Sequence, residues 1–272
     1  MKHVHIMSAA AVLLALGACD RVSGTPAGNV AVQLATASSA GGASGDASPA
    51  DGLQLAGTNG TLSLTDLRLI VSRVKLDGDE HGCEKEHNDR HNCLDFRLPP
   101  FLAQVPLSSG AITIAAGAAD PGTYTEVELR VKNLDVDDDD DEDDMDDDED
   151  HGDHASFTKV LAEARLAFPD WPNRASMVAT GTFTPTGAGQ VAKTFTVYFR
   201  AELKLEMPLD PPLVVTASGA SRTVTVTIRS DAWFKGADGR VADLSAFDFP
   251  KTGKVVEFKP EAKKGFRAKH DD

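Results

Sequence analysis

Residues 195–205 alternate without a break. Phe195, Val197, Phe199, Ala201, Leu203 and Leu205 fall on one side, while Thr196, Tyr198, Arg200, Glu202 and Lys204 fall on the other, with Glu206 continuing the polar series. Side chains of a strand point to opposite faces in turn, so this spacing predicts one long half-buried strand and leaves no room for a helix. A strand of that kind needs neighbours, and the chain supplies them. Thr61, Leu62, Ser63 and Leu64 alternate, and Leu67, Leu69 and Val71 continue on one face. The apolar phase then slips to Val74 and Leu76, which predicts a bulge near Ser72 and Arg73. Leu67, Ile70, Val71 and Val74 also suit a helical stripe, so periodicity alone leaves that segment open.

Further strand signals are short and bounded by Pro or Gly. Residues 94–98, 101–107 and 111–115 are apolar runs, and Pro121 with Gly122 turns the chain into residues 124–134. There Val127, Leu129 and Val131 alternate with Glu128, Arg130 and Lys132, as in a half-buried strand with a charged outer face. Residues 177–183 and 213–216, and then Val224, Val226 and Ile228, add more strands, with Trp233 and Phe234 as core anchors. Residues 255–266 read as a short turn or helix interrupted by Pro260. One amphipathic helix stands out: Ser156 can cap it, Phe157, Val160, Leu161 and Ala164 share a face, and Pro169 ends it near Phe168. The pattern predicts a mainly β, antiparallel β-sandwich with one short helix. Residues 53–268 can make one large sandwich or two small ones, about 53–135 and 156–268.

The N-terminus fixes an address. Lys2 precedes an apolar run over residues 6–16, too short for a permanent membrane helix, and Leu16, Gly17, Ala18 and Cys19 close it. This resembles the lipobox of bacterial lipoprotein precursors. The resemblance implies a signal peptide over residues 1–18, diacylglycerol on Cys19, and attachment to a membrane of the bacterial cell envelope. A plain secretory signal and an N-terminal anchor helix are the alternatives. Asp20 resembles an inner-membrane retention signal of enteric bacteria, a rule that does not carry between bacterial groups, so the inner and outer membranes both stay open. Residues 19–52 are then Ala, Gly, Ser and Thr with little charge, which reads as a flexible linker reaching about 30 Å.

The formal charge of −15 is local. Residues 135–154 hold 15 Asp or Glu and no Lys or Arg; without those 15, the acids equal the 27 bases. No basic stripe remains for nucleic acid. Residues 137–150 are carboxylates interrupted only by Met145. Like charges at that density repel and extend the chain, and hard divalent cations such as Ca²⁺ relieve the repulsion through oxygen ligands. The candidate ligands are Asp137, Asp139, Asp141, Asp146, Asp148 and Asp150, with His151 and His154 beside them. An ordered calcium loop is not spelled out, since Gly152 falls one position late. A solvated surface insertion, attracting ions without a defined site, is the simpler reading of the same run.

A second polar loop covers residues 77–93. Acylation of Cys19 leaves Cys83 and Cys93, and an oxidising compartment favours a disulfide between them, worth about 2–3 kcal/mol. A thiolate metal site and free thiols are the alternatives. His81, His87 and His91 lie in the same loop, so an imidazole site for Zn²⁺ or copper is compatible with the disulfide. Were both loops to meet at one end of the sandwich, imidazoles and carboxylates could share an ion.

No G-x-S-x-G elbow, H-E-x-x-H helix or phosphate-binding glycine loop occurs, so the chain reads as a non-enzyme. Asp238 with Gly239 and residues 187–190 read as turns. Trp171 and Trp233 could stack on a glycan, but their neighbours favour packing.

Three segments carry a resemblance. Residues 61–69 (TLSLTDLRL), residues 99–107 (PPFLAQVPL) and residues 121–124 (PGTY) resemble a family of uncharacterised bacterial lipoprotein domains, and Trp233, Phe234, Asp238 and Gly239 resemble its tail. The family implies a transthyretin-like (Ig-like) or carbohydrate-binding-like β-sandwich and an envelope location. It carries over no catalytic or binding residue. The expected function is a lipid-anchored binding or scaffold protein collecting divalent cations, with a carbohydrate- or surface-polymer-binding module as the alternative.

Overall fold

The computed structural model describes residues 30–36, 52–78, 96–108, 110–132, 154–216, 220–229, 231–258 and 266–270. The 19-residue strand β3 (Gly60–Gly78) organises them. Its side chains alternate between core and surface, and β2 (Leu53–Gly57), β5 (Phe101–Gln104) and β4 (Phe96–Leu98) pair in succession along one side. The other side is shared. β8 (Met177–Pro185) runs along its first half, pairing Met177 with Leu69, and β7 (Gly122–Val131) along its second half, pairing Val131 with Val71. The register against β7 slips between Val71 and Arg73, so the expected bulge is present and the segment is a strand.

The alternation over 195–205 holds, but it belongs to two strands. β9 (Lys193–Ala201) pairs with β8, and β10 (Leu203–Val215) pairs with β7, with Glu202 between them. The phase is unbroken because both strands present the same face to one core, while their partner changes from β8 to β7. Ser176 fills the gap this leaves. Its hydroxyl donates to the Ala201 carbonyl and accepts the Ala201 N–H, both at 2.7 Å, and its carbonyl accepts from Ile70 N–H at 2.8 Å.

A second sheet has the order β13 (Phe266–His270), β11 (Arg222–Ile228), β1 (Val30–Thr36), β6 (Ala111–Gly117). The fold class is therefore a mainly β sandwich, and three details differ from the expectation. Val30–Thr36 lies inside the segment read as linker, yet Val30, Val32 and Leu34 are wholly buried. Three alternating apolar residues suffice there because β6 and β11 flank the strand on both sides. β1 also pairs parallel with β11, as does β12 (Val256–Phe258) with β9, so the sandwich is not purely antiparallel. β12 lies within residues 255–266, which were expected to form a turn or helix, and β13 begins at the last of them, because sheet edges recruit both strands. Strands from residues 53–135 and 156–268 alternate within one sheet and line one core.

The helix α1 (His154–Ala167) begins two residues before Ser156, which therefore lies within its first turn instead of capping it. Its Val160, Leu161 and Ala164 cover the outer face of the sheet at Ile70, Val178 and Tyr198. Trp171 completes that layer, edge-on to Tyr198 at 5.6 Å, its indole N–H donating to the Ala175 carbonyl at 2.9 Å. Trp233 and Phe234, in the single turn α2 (Asp231–Phe234), pack among Phe199, Phe258 and Phe266. Both tryptophans are core residues, at 2% and 9% exposure.

Candidate functional site

The predicted ligands and the lipidation site lie outside the described residues: Cys19, His81, Cys83, His87, His91, Cys93, Asp137, Asp139, Asp141, Asp146, Asp148, Asp150 and His151. The backbone of His154 opens α1. What the fold does establish is where the two polar loops are anchored. The histidine-containing loop leaves at Gly78 and returns at Phe96, positions paired near Tyr124 at the start of β7. The acidic run leaves after Val131 and Lys132, at the other end of β7, and returns into α1. Seven strand residues separate those ends, about 23 Å. The loops do not leave from one end of the sandwich, so a shared ion would require the chain to span the length of β7.

Between the two anchors lies a charged face that the sequence did not assemble. On β3, β7 and β10 the outward side chains stand in cross-strand rows, with neighbours about 5 Å apart. Arg73, Arg130 and Lys204 form the row nearest the acidic run. Lys75, Glu128 and Glu206 form the next, and Asp77, Glu126 and Pro208 the row nearest the histidine loop. The face is thus cationic at one end and anionic at the other. The acidic run departs from the row of opposite charge to its own side chains.

Glu128 is the pivot of this face. Its carboxylate is 8% exposed and meets Arg130 Nε at 2.7 Å and Lys204 Nζ at 3.8 Å. The closer pair is an ion contact rather than an aligned hydrogen bond. Lys204 also bonds Glu206 at 2.9 Å, and Lys75 bonds Asp77 at 2.6 Å. The Lys204 ammonium is held above its ordinary value by its bond to Glu206 and by the charge of Glu128. Glu126 is pushed up instead, first by burial and then by Glu206, Asp77 and Glu128.

Other described features serve the scaffold. A cavity of about 390 Å³ lies between β10 and β13, lined by Leu205, Glu206, Met207, Phe266, Arg267 and Ala268 among others. Pro208, Pro211 and Pro212 blunt the β10 edge, since proline has no N–H to offer an incoming strand. Tyr198, buried under α1, has its hydroxyl pushed up to about 12 by burial and then by Asp170. The Asp238–Gly239 turn is confirmed: Gly239 sits at φ 75° and Asp238 accepts the Arg240 N–H. Among the described residues no group of three or more His, Cys, Asp or Glu converges on a common point suited to a metal ion.

No family model and no curated protein matches the chain. Among solved structures, MbnP from Methylosinus trichosporium is similar at 13% identity, over 89% of this chain and 98% of that one, with a TM-score of 0.38.

Proposed function

We infer that this chain is a lipid-anchored protein of the bacterial cell envelope that binds or scaffolds, and that its acidic run collects divalent cations such as Ca²⁺. The observation that carries this reading is the placement of the run. Thirteen carboxylates within residues 137–150 are inserted between β7 and α1, two elements packed onto one body, so both ends of the run are held. Tethered carboxylates repel one another, and each divalent ion that joins two of them offsets that repulsion. The lipobox at residues 16–19 supports the envelope location, as does the resemblance to lipoprotein domains. His151, His154 and the histidines of the other loop extend the offer to softer ions such as Zn²⁺ and copper.

A glycan-binding reading has less to rest on, because Trp171 and Trp233 both lie in the interior and present no stacking face.

Thermal unfolding of the mature chain with and without Ca²⁺ tests the cation reading. Several millimolar Ca²⁺ raises Tm by about 2–4 °C, the response to roughly 1 kcal/mol of linked binding. Replacing Asp146, Asp148 and Asp150 with Asn diminishes the rise. A Tm indifferent to Ca²⁺ at low ionic strength rejects the reading.

A further inference from the structure

We propose that the outer edge of β6 is a docking surface for a second copy of this chain, the two β6 strands pairing antiparallel about a twofold axis. β6 ends the four-stranded sheet, and among the described residues no strand pairs with its outer side. An edge strand offers a row of N–H and C=O groups to any strand that approaches, and proteins ordinarily blunt such edges with charge or proline. Three of the four strands that end the two sheets are blunted in this way. β10 carries Pro208, Pro211 and Pro212, β13 carries Arg267 and Lys269, and the short β12 carries Glu257. β6 holds Ala, Ile, Thr and Gly alone.

Ile112 supplies a second, independent observation. It stands opposite Leu34 in the register with β1, and partners across an antiparallel pair share a face, so Ile112 points to the side of the sheet that holds the core. Leu34 is wholly buried there, yet Ile112 is 38% exposed. Ile114, two residues on, packs against the core. The sandwich is thus open beside the first half of β6, where Ala111, Ile112 and Thr113 are all exposed. A second copy closes this opening with the same residues. With Thr113 on the twofold axis, Ile112 of each copy meets Ile114 of the other, an apolar cross-strand pair made twice. No charge on either β6 opposes the approach. A single strand pair falls below the roughly 1,200–2,000 Å² of a standard stable interface, so the dimer is weak, with a Kd on the order of 100 µM. The net charge of −15 on each copy also opposes association, so added salt strengthens it. The dimer needs no metal and stands without the cation reading.

Sedimentation equilibrium in EDTA and about 0.15 M NaCl tests it. The parent is the mature chain carrying Cys19→Ser, which removes any lipid and one thiol as causes of association. At about 0.5 mM most of the parent sediments with twice the mass of one chain, and at about 10 µM most of it is monomeric. Ile112→Lys and Thr113→Lys each add a charge to the edge and leave the chain monomeric at both concentrations. Leu166→Lys and Val191→Lys, at exposed apolar positions elsewhere, leave the dimer intact. Circular dichroism and Tm verify that each variant is folded. A parent that stays monomeric at about 0.5 mM overturns the proposal. So does a dimer unmoved by both β6 substitutions, or one dissolved as readily by Leu166→Lys or Val191→Lys. Failure to bind Ca²⁺ would reject the cation reading alone.

Discussion

Asp248 joins three parts of the molecule through one side chain. It follows the 3-10 turn Leu244–Phe247 and precedes α3 (Phe249–Thr252). Its carboxylate accepts the Thr196 N–H of β9 at 3.0 Å and meets Lys251 at 2.9 Å. Burial alone would raise its pKa, but the bonds from Lys251 and Thr196 outweigh it, and the group is held below the ordinary 3.8. An acid whose folded pKa is depressed stabilises the fold above its unfolded pKa, and that contribution disappears as pH falls through the folded value. Asp248→Asn therefore costs about 1–2 kcal/mol at pH 7 in urea unfolding, and the difference from the native chain shrinks below about pH 4. Glu126 has the opposite sign. Its raised pKa means that the charged form is disfavoured in the folded chain, so Glu126→Gln stabilises by about 0.3 kcal/mol at pH 7. That gain is absent below the ordinary carboxylate range, where both states are protonated. The alternation of Glu128, Arg130 and Lys132 was legible in the sequence. Which charges stand opposite them was not, because cross-strand register depends on bulges and partner order rather than on local spacing.

At the level of elements, the join between β9 and β10 depends on Ser176. Neither β8 nor β7 covers Ala201, and the serine hydroxyl satisfies both its N–H and its carbonyl. Ser176→Ala leaves those buried groups without partners, at a cost of about 1–3 kcal/mol in equilibrium unfolding, while Ser176→Thr retains the hydroxyl. No periodicity could have shown the join, since the alternation runs straight through Glu202. The bulge at Ser72–Arg73 was legible, because a slip in phase is itself a local signal. So was the apolar face of α1. Its start was not: the helix begins within the polar residues after the acidic run, where no apolar spacing marks the boundary.

The whole molecule depends on a strand that composition conceals. Val30–Thr36 sits among Ala, Gly, Ser and Thr, and its three inward residues are too few to stand out from a linker. In the sheet it separates β6 from β11, and its removal would leave both with an open edge. A chain begun at Leu53 is accordingly expected to lose cooperative unfolding, whereas one begun at Asn29 keeps it. Residues 19–52, read as a linker, therefore contain a strand of the sandwich at Val30–Thr36. The segments that hold the candidate ligands are flanked by packed elements, β3 and β4 for one and β7 and α1 for the other. That the loops are anchored at opposite ends of β7 was not visible, because it follows from the antiparallel pairing of β3 with β7.

Counting bound ions tests the cation-collecting account most directly. Equilibrium dialysis of the mature chain against Ca²⁺ at low ionic strength should show saturable uptake of more than one ion per chain. Replacing the acids of residues 137–150 with their amides should abolish it. Calcium inside the bag equal to that outside, for the native chain at millimolar Ca²⁺, would contradict the account.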